Sequence, residues 1–311
     1  MQYAVVCASH SPLVSERDAA DGAKERYTES MRDVGEWIRA FNPDIVIQFA
    51  PDHYNGFFYD VMPSFCIGTS AFAIGDWQGL KGSLNVPTEV ALQAVEAVRD
   101  ADVDVSVSFD MQVDHGFGQF LQMTLGSLIE FPLIPIMINC AAPPMPSFRR
   151  SRLLGQAIGR FAKAQGKRAL FVGSGGLSHD PPMPVWENAD EPQRNFLLRG
   201  RNPSAEQRRA RENRVRNAAV LHSGGHGDVI APSANWDSRV IELLSGRDLE
   251  QFDNWQDNDV TRLGGTGGHE IRTWIAAFAA MAEVSPDYEA DVRYHEVVAK
   301  WLTGMAVVRG S

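Results

Sequence analysis

Cysteine is scarce in this chain. Its 311 residues hold three, Cys7, Cys66 and Cys140, odd in number and far apart. That pattern offers neither a disulfide framework nor a CxxC metal site. Basic charge is also short. Against 39 Asp and Glu there are 29 Lys and Arg, for a formal net charge of −10. This argues against nucleic acid or an anionic membrane as main partner, while leaving room for a local basic pocket that takes an acidic small molecule. No apolar stretch approaches the ~20 residues of a membrane helix. No basic segment with an apolar core precedes the strand-like run at Tyr3, so a cytoplasmic protein is expected. What is present is an ordinary globular composition, 44% hydrophobic and 22% charged, long enough for one large α/β domain or two smaller ones.

Patterning favours a single domain over residues 1–311, because no internal repeat or low-complexity linker divides the chain. Strands are predicted at Tyr3 to Ala8, Asp44 to Phe49, Val103 to Phe109, Leu133 to Ile138 and Arg168 to Val172, with an extended run from Phe57 to Ile67. Helical patterns lie between them: 17–41, stopping at Asn42-Pro43; Pro87 to Arg99; a run after Asp114-His115-Gly116; and 147–165. The alternation predicts an α/β fold, with a mixed, mostly parallel central sheet flanked by helices and the site at the strand C-terminal ends. Residues 185–260 read as a helical insertion. Its charge-dense part, 191–217, looks more like a solvated face than a binding patch. Gly264 to Gly268 then opens an amphipathic run, Glu270 to Met281, with Ile271, Trp274, Ile275, Phe278 and Met281 on one stripe.

Three short runs carry the chemistry: Cys7-Ala-Ser-His-Ser-Pro12, Ala50-Pro-Asp-His-Tyr-Asn-Gly-Phe-Phe58 and Gly173-Ser-Gly-Gly-Leu-Ser-His179. In each, an apolar strand pattern stops and a histidine follows within a few residues. Ser9, Ser11 and Pro12 alone explain a turn at His10, and Asp52 can be a mere turn former beside His53. Taken together, two histidines just past neighbouring strands are a better metal-ligand pair, since neutral imidazole is the commonest protein ligand. His115 stands at a strand-to-helix transition, where Asp114 can cap the helix or orient an imidazole. The glycines before His179 permit close backbone approach, but they match neither GxxxxGK[ST] nor GxGxxG. Glu270 is a ligand option. An acidic residue favoured by a helix N-terminus is the simpler local reading, and the ~100° between helical neighbours keeps His269 and Glu270 from sharing one ion. His222 and His226 match HxxxH, but Gly224 and Gly225 spoil the helix between them, and His295 has no ligand context.

Ser9-His10-Ser11-Pro12, Phe49 to Tyr59, Gln112-Val-Asp-His-Gly-Phe117 and Gly173 to His179 together resemble the class III extradiol ring-cleaving dioxygenases, the superfamily of the protocatechuate 4,5-dioxygenase β subunit. The resemblance extends to His269-Glu270-Ile271 and Trp274, and is weakest over 185–260. It implies Fe(II) held by His10, His53 and Glu270, the two-histidine, one-carboxylate set that leaves positions open on the ion. It implies His115 and His179 at the substrate as acid/base groups, His179 the base and His115 the acid, with the roles exchangeable on sequence alone. The implied reaction is cleavage of a catechol by O2, with 3-(2,3-dihydroxyphenyl)propionate and then 2,3-dihydroxycinnamate as expected substrates, in a homo-oligomer. Another 3-substituted catechol, a non-catalytic ligand- or metal-binding protein of the same fold, and a zinc hydrolase are the rival readings. No Arg or Lys is singled out for the substrate carboxylate.

Overall fold

The computed structural model describes residues 2–16, 19–226 and 229–311. β1 (Tyr3–Ala8) leads through α1 (Ala23–Phe41) to β2 (Ile45–Ala50). β3 (Phe65–Gly68), β4 (Ala71–Ile74) and β5 (Lys81–Ser83) follow, then α2 (Thr88–Asp100), β6 (Ser106–Ser108), β7 (Met111–Val113) and α3 (His115–Leu125). β8 (Leu133–Ile138), α4 (Phe148–Gln165) and β9 (Ala169–Ser174) complete the alternation. Five helices come next: α5 (Glu191–Arg199), α6 (Ala205–Ser223), α7 (Ala234–Ser245), α8 (Asp257–Gly264) and α9 (Ile271–Val284). A hairpin of β10 (Ala290–Val298) and β11 (Thr303–Gly310) ends the described chain.

The main sheet runs β10-β11-β1-β9-β2-β8-β3-β6. Its centre, β1, β9, β2 and β8, is parallel, and the antiparallel pairings lie outside it, at β1–β11, β10–β11 and β3–β8. The expected α/β class and mixed sheet are therefore what is found. A three-stranded sheet, β5-β4-β7, stands apart.

Every residue of β2, β8 and β9 is buried, as mainly apolar runs covered on both faces should be. Alternate side chains enter different cores. Val5, Cys7, Ile47, Phe49 and Phe171 pack with α2, α4, α7 and α9, while Ala4, Val6, Ala8, Val46, Leu170 and Val172 pack with α1 and α3. α1 buries Tyr27, Met31, Val34 and Ile38, one helical stripe. It stops at Asn42, left-handed at φ 51°, with Pro43 barring continuation.

Several expectations need correction. The amphipathic stripe on α9 is in fact a helix buried all round from Ile271 to Met281, because the sheet covers one side and α4 the other. Of Val103 to Phe109 only Ser106–Ser108 is strand, and of Phe57 to Ile67 only the last three residues. The β10–β11 hairpin has no counterpart in the sequence reading. β10 is an edge strand with many exposed polar residues and a register shift between Val292 and Tyr294, so it lacks a clean alternation. Residues 17–18 of the expected helical run 17–41, and residues 227–228 of the 185–260 insertion, lie outside the described residues. Among the described residues, no helix is long and apolar enough to cross a membrane.

Candidate active site and metal centre

Sheet register brings the three histidine runs together. Ala8 pairs with Ser174, and Phe49 with Gly173, so the chain leaves β1, β2 and β9 at one edge, where open α/β sheets bind ligands. Each exit is pinned. Ser9 exchanges backbone and side-chain hydrogen bonds with Ala306, and its carbonyl accepts from the Tyr27 hydroxyl at 2.6 Å. Asp52 closes the turn after β2 by accepting from the amides of Asn55, Gly56 and Phe57. Burial and the Asp114 carboxylate push the Asp52 pKa up to about 7. The turn after β9 is tied to α9: the Thr273 hydroxyl donates to the Ser174 carbonyl and the Trp274 indole to that of Gly175. That tie delivers Glu270 to the site.

Four histidines meet there in one orientation. In each, Nδ1 is engaged by the protein: His10 with Ser174 Oγ at 3.1 Å, His53 with Asp114 Oδ2 at 3.1 Å, His115 with Asp76 Oδ2 at 2.6 Å and His179 with the Leu177 carbonyl at 3.0 Å. The carboxylate and carbonyl oxygens can only accept, so they require Nδ1–H in His53, His115 and His179 and leave Nε2 as the free donor atom, and the Ser174 hydroxyl can accept from His10 in the same way. His10 Nε2 is 3.5 Å from His53 Nε2 and 3.5 Å from Glu270 Oε2. Glu270 Oε1 is 3.2 Å from His53 Nε2 and 3.3 Å from His179 Nε2. His115 stacks on His53 at 4.3 Å and meets His10 edge-on at 5.4 Å.

Asp114 fills both roles open to it. Oδ1 accepts from Gly116 N as the cap of α3, and Oδ2 accepts from His53 N and from Asn55 Nδ2. Glu270 is no exposed helix-end acid. It is buried, with Oε2 accepting from Gly176 N at 2.7 Å, while His269 turns away toward Arg272 and Thr261. A Cβ at Gly176 would stand 2.5 Å from His179 Cε1, and one at Gly267 2.1 Å from His179 Nε2. Glycine at both positions is what lets this ring enter the site.

The charges follow from burial and neighbours. Burial drives the His10 pKa down to about 3, against the pull of Glu270. For His53, burial is outweighed by Asp114 and Glu270, and for His179 by Glu270, so both are raised. Glu270, despite its burial, is held well below its ordinary value by His179 and His10.

The chain matches, over residues 4–306, the family of the catalytic LigB subunit of aromatic ring-opening dioxygenase. It belongs to the LigB family. The 2,3-dihydroxyphenylpropionate/2,3-dihydroxicinnamic acid 1,2-dioxygenase of Cupriavidus pinatubonensis is 44% identical over 308 residues, 99% of this chain and 98% of that one. A protein of the same name, numbered 1, from Pseudomonas putida is 45% identical over 299 residues, 96% and 95% of the two chains. The crystal structure of uncharacterized protein JW3007 from Escherichia coli K12 superposes with a TM-score of 0.52 at 13% identity, covering 98% of each chain, and shows the shared fold alone. This LigB chain is an extradiol, ring-opening dioxygenase.

LigB dioxygenases are metal-dependent, and the donors here fit an ion. Imidazole lone pairs and a carboxylate converging on one point repel unless a proton or cation lies among them. Donors ~2.0–2.2 Å from a divalent ion stand about 2.8–3.6 Å apart between right-angled and tetrahedral arrangements. The separations of 3.2–3.5 Å among His10, His53 and Glu270 fall in that span. His10, His53 and His115 also present ring nitrogens within 4.8 Å of one another, as do donors of Asp76, Asp114 and His115. In the latter group both carboxylates are already engaged by histidine Nδ1 atoms.

The site thus gathers all of His10, His53, His115, His179, Glu270 and Asp114. His222, His226 and His295 line no part of its cavity. The sequence reading missed Asp76 and Ser174, whose approach to the rings is purely tertiary. It also missed α6: Arg208, Arg211 and Arg214 line the same cavity as the histidines, on a helix expected to be a solvated face.

Proposed function

We propose that this chain opens the ring of 3-(2,3-dihydroxyphenyl)propionate, and of 2,3-dihydroxycinnamate, using Fe(II) held by His10, His53 and Glu270. The observation that carries the reading is the inward convergence of these three donors beside two further histidines. That relatives 40–45% identical are 2,3-dihydroxyphenylpropionate/2,3-dihydroxicinnamic acid 1,2-dioxygenases by name supports the substrate. One carboxylate with two neutral imidazoles leaves a bound Fe(II) site formally at +1, which favours an anionic catecholate. When bound, the ion supplies chelation of the diol and a redox path to O2.

The remaining work belongs to the protein. The product, 2-hydroxy-6-oxonona-2,4-dienedioate, contains every atom of substrate and O2, so no external reductant is needed. Protons must nevertheless move. His179, whose Nδ1 meets only a carbonyl, keeps Nε2 free to accept a catechol proton once a cation compensates Glu270. His115, oriented at Nδ1 by the Asp76 carboxylate, turns Nε2 toward the other histidines and suits the acid that assists ring opening.

The test is anaerobic loading of the protein with Fe(II), addition of the diol acid and admission of air. A yellow product that forms with Fe(II) and not with Zn(II) is the expected result. No product from any member of a catechol panel, with iron demonstrably bound, would overturn the reading.

A further inference from the structure

The cavity has a second chemical pole. Its volume is about 120 Å³, and besides the histidines it is lined by Arg208, Arg211 and Arg214. These residues stand at i, i+3 and i+6 of α6, so they share one helix face. Their neighbours on the helix show what is unusual about them. Arg216 is paired with Glu16 and Glu212, which neutralises the one α6 carboxylate that also lines the cavity. The guanidinium of Arg208 makes no hydrogen bond, ion pair or ring contact among the described residues, nor does that of Arg214. Arg211 is half-buried: it stacks over Phe196 at 4.0 Å and donates to the Gly200 carbonyl at 3.1 Å, without a carboxylate. Burial and the two flanking arginines lower it to about 10. Like charges gathered in a cavity of a chain with net charge −10 are costly unless an anion shares them.

We propose that Arg208 and Arg211, with Arg214 beside them, form the anion subsite that receives the carboxylate tail of the substrate while the diol lies at the histidines. The inference rests on the ring-opening reading above and extends it to substrate selection. The planar guanidinium fork suits a carboxylate. The Phe196 ring under Arg211 adds an apolar flank for the carbon chain between the two poles.

Two measurements test it. In the iron-loaded enzyme, the ratio of kcat/KM for the carboxylated catechol over that for 3-propylcatechol is compared between wild type and variants. The ratio is expected to fall tenfold or more in Arg208→Gln combined with Arg211→Gln, and severalfold in Arg208→Gln alone, which breaks no hydrogen bond, ion pair or ring contact among the described residues. Arg209→Gln, an exposed α6 position off the cavity, should leave the ratio unchanged. In metal-free protein, 3-phenylpropionate, which has the acid but no diol, should bind with a salt-sensitive Kd that the double variant weakens tenfold or more. An unchanged ratio together with unchanged phenylpropionate binding would overturn the subsite. If no catechol is turned over, the ring-opening reading fails by itself, and the phenylpropionate titration still decides the subsite.

Discussion

The floor of the cavity, at the ends of β1, β2 and β9, and its wall on α6 hold charge in different ways. On the floor every ionisable group has a fixed partner: Asp114 holds His53, Asp76 holds His115, and Gly176 N holds Glu270. His10, His53, His179 and Glu270 sit on segments that leave the buried ends of β1, β2 and β9 or precede the buried run of α9. On the wall, α6 buries only Ala219, and two of its cavity-lining arginines have no partner among the described residues. A metal site needs donors placed to within a few tenths of an ångström, which only a rigid frame provides. A subsite for a flexible acidic tail needs charge and reach, which a solvated helix supplies.

Breaking the floor should cost most. Glu270→Gln removes the anionic donor, and metal affinity is expected to fall more than about 100-fold, beyond the usual effect of losing a group that merely supports a ligand. Metal content after dialysis checks this, and an unchanged content would remove Glu270 from the ligand set. His179→Phe should keep the metal but lose about 10²–10⁴-fold in kcat, the range for a lost proton-transfer group. Near-normal turnover would end its acid/base role. Asp114→Asn strips one acceptor from that residue. Asparagine can still cap α3 through Oδ1, but its amide nitrogen cannot accept from His53 N and Asn55 Nδ2, so stability should fall by about 1–3 kcal/mol, and losing the charge on His53 Nδ1 should weaken metal binding by about 10–100-fold. Metal titration followed by thermal unfolding reads both. Loosening the wall should cost least. Ser204 caps α6 in a reciprocal pair with Gln207, so Ser204→Ala should destabilise that helix by about 1 kcal/mol. Hydrogen exchange should quicken in α6 with metal content unchanged; loss of metal would show the two regions to be coupled.

The same contrast explains what the sequence made legible. His10, His53 and His179 stood out because each follows a buried strand whose apolar run stops abruptly, a signal that survives without tertiary information. Asp114 carried both of its roles in one local motif. Glu270 was visible only through family resemblance, because an acid at a helix start has a sufficient local explanation. Asp76 lies in a short turn beside the small sheet, and nothing local marks its approach to His115. α6 spreads its arginines around its circumference and has no strong apolar stripe, so nothing local distinguishes the cavity-lining arginines from the solvated ones. β10 escaped because an exposed, irregular edge strand has little period-two contrast.

The most direct test of the central claim is oxygen stoichiometry in iron-loaded enzyme with limiting 3-(2,3-dihydroxyphenyl)propionate. One O2 taken up for each ring opened, abolished by Glu270→Gln and largely lost in His179→Phe, is the result this account expects. Ring loss without oxygen uptake, or no uptake at all with iron bound at His10, His53 and Glu270, would contradict it.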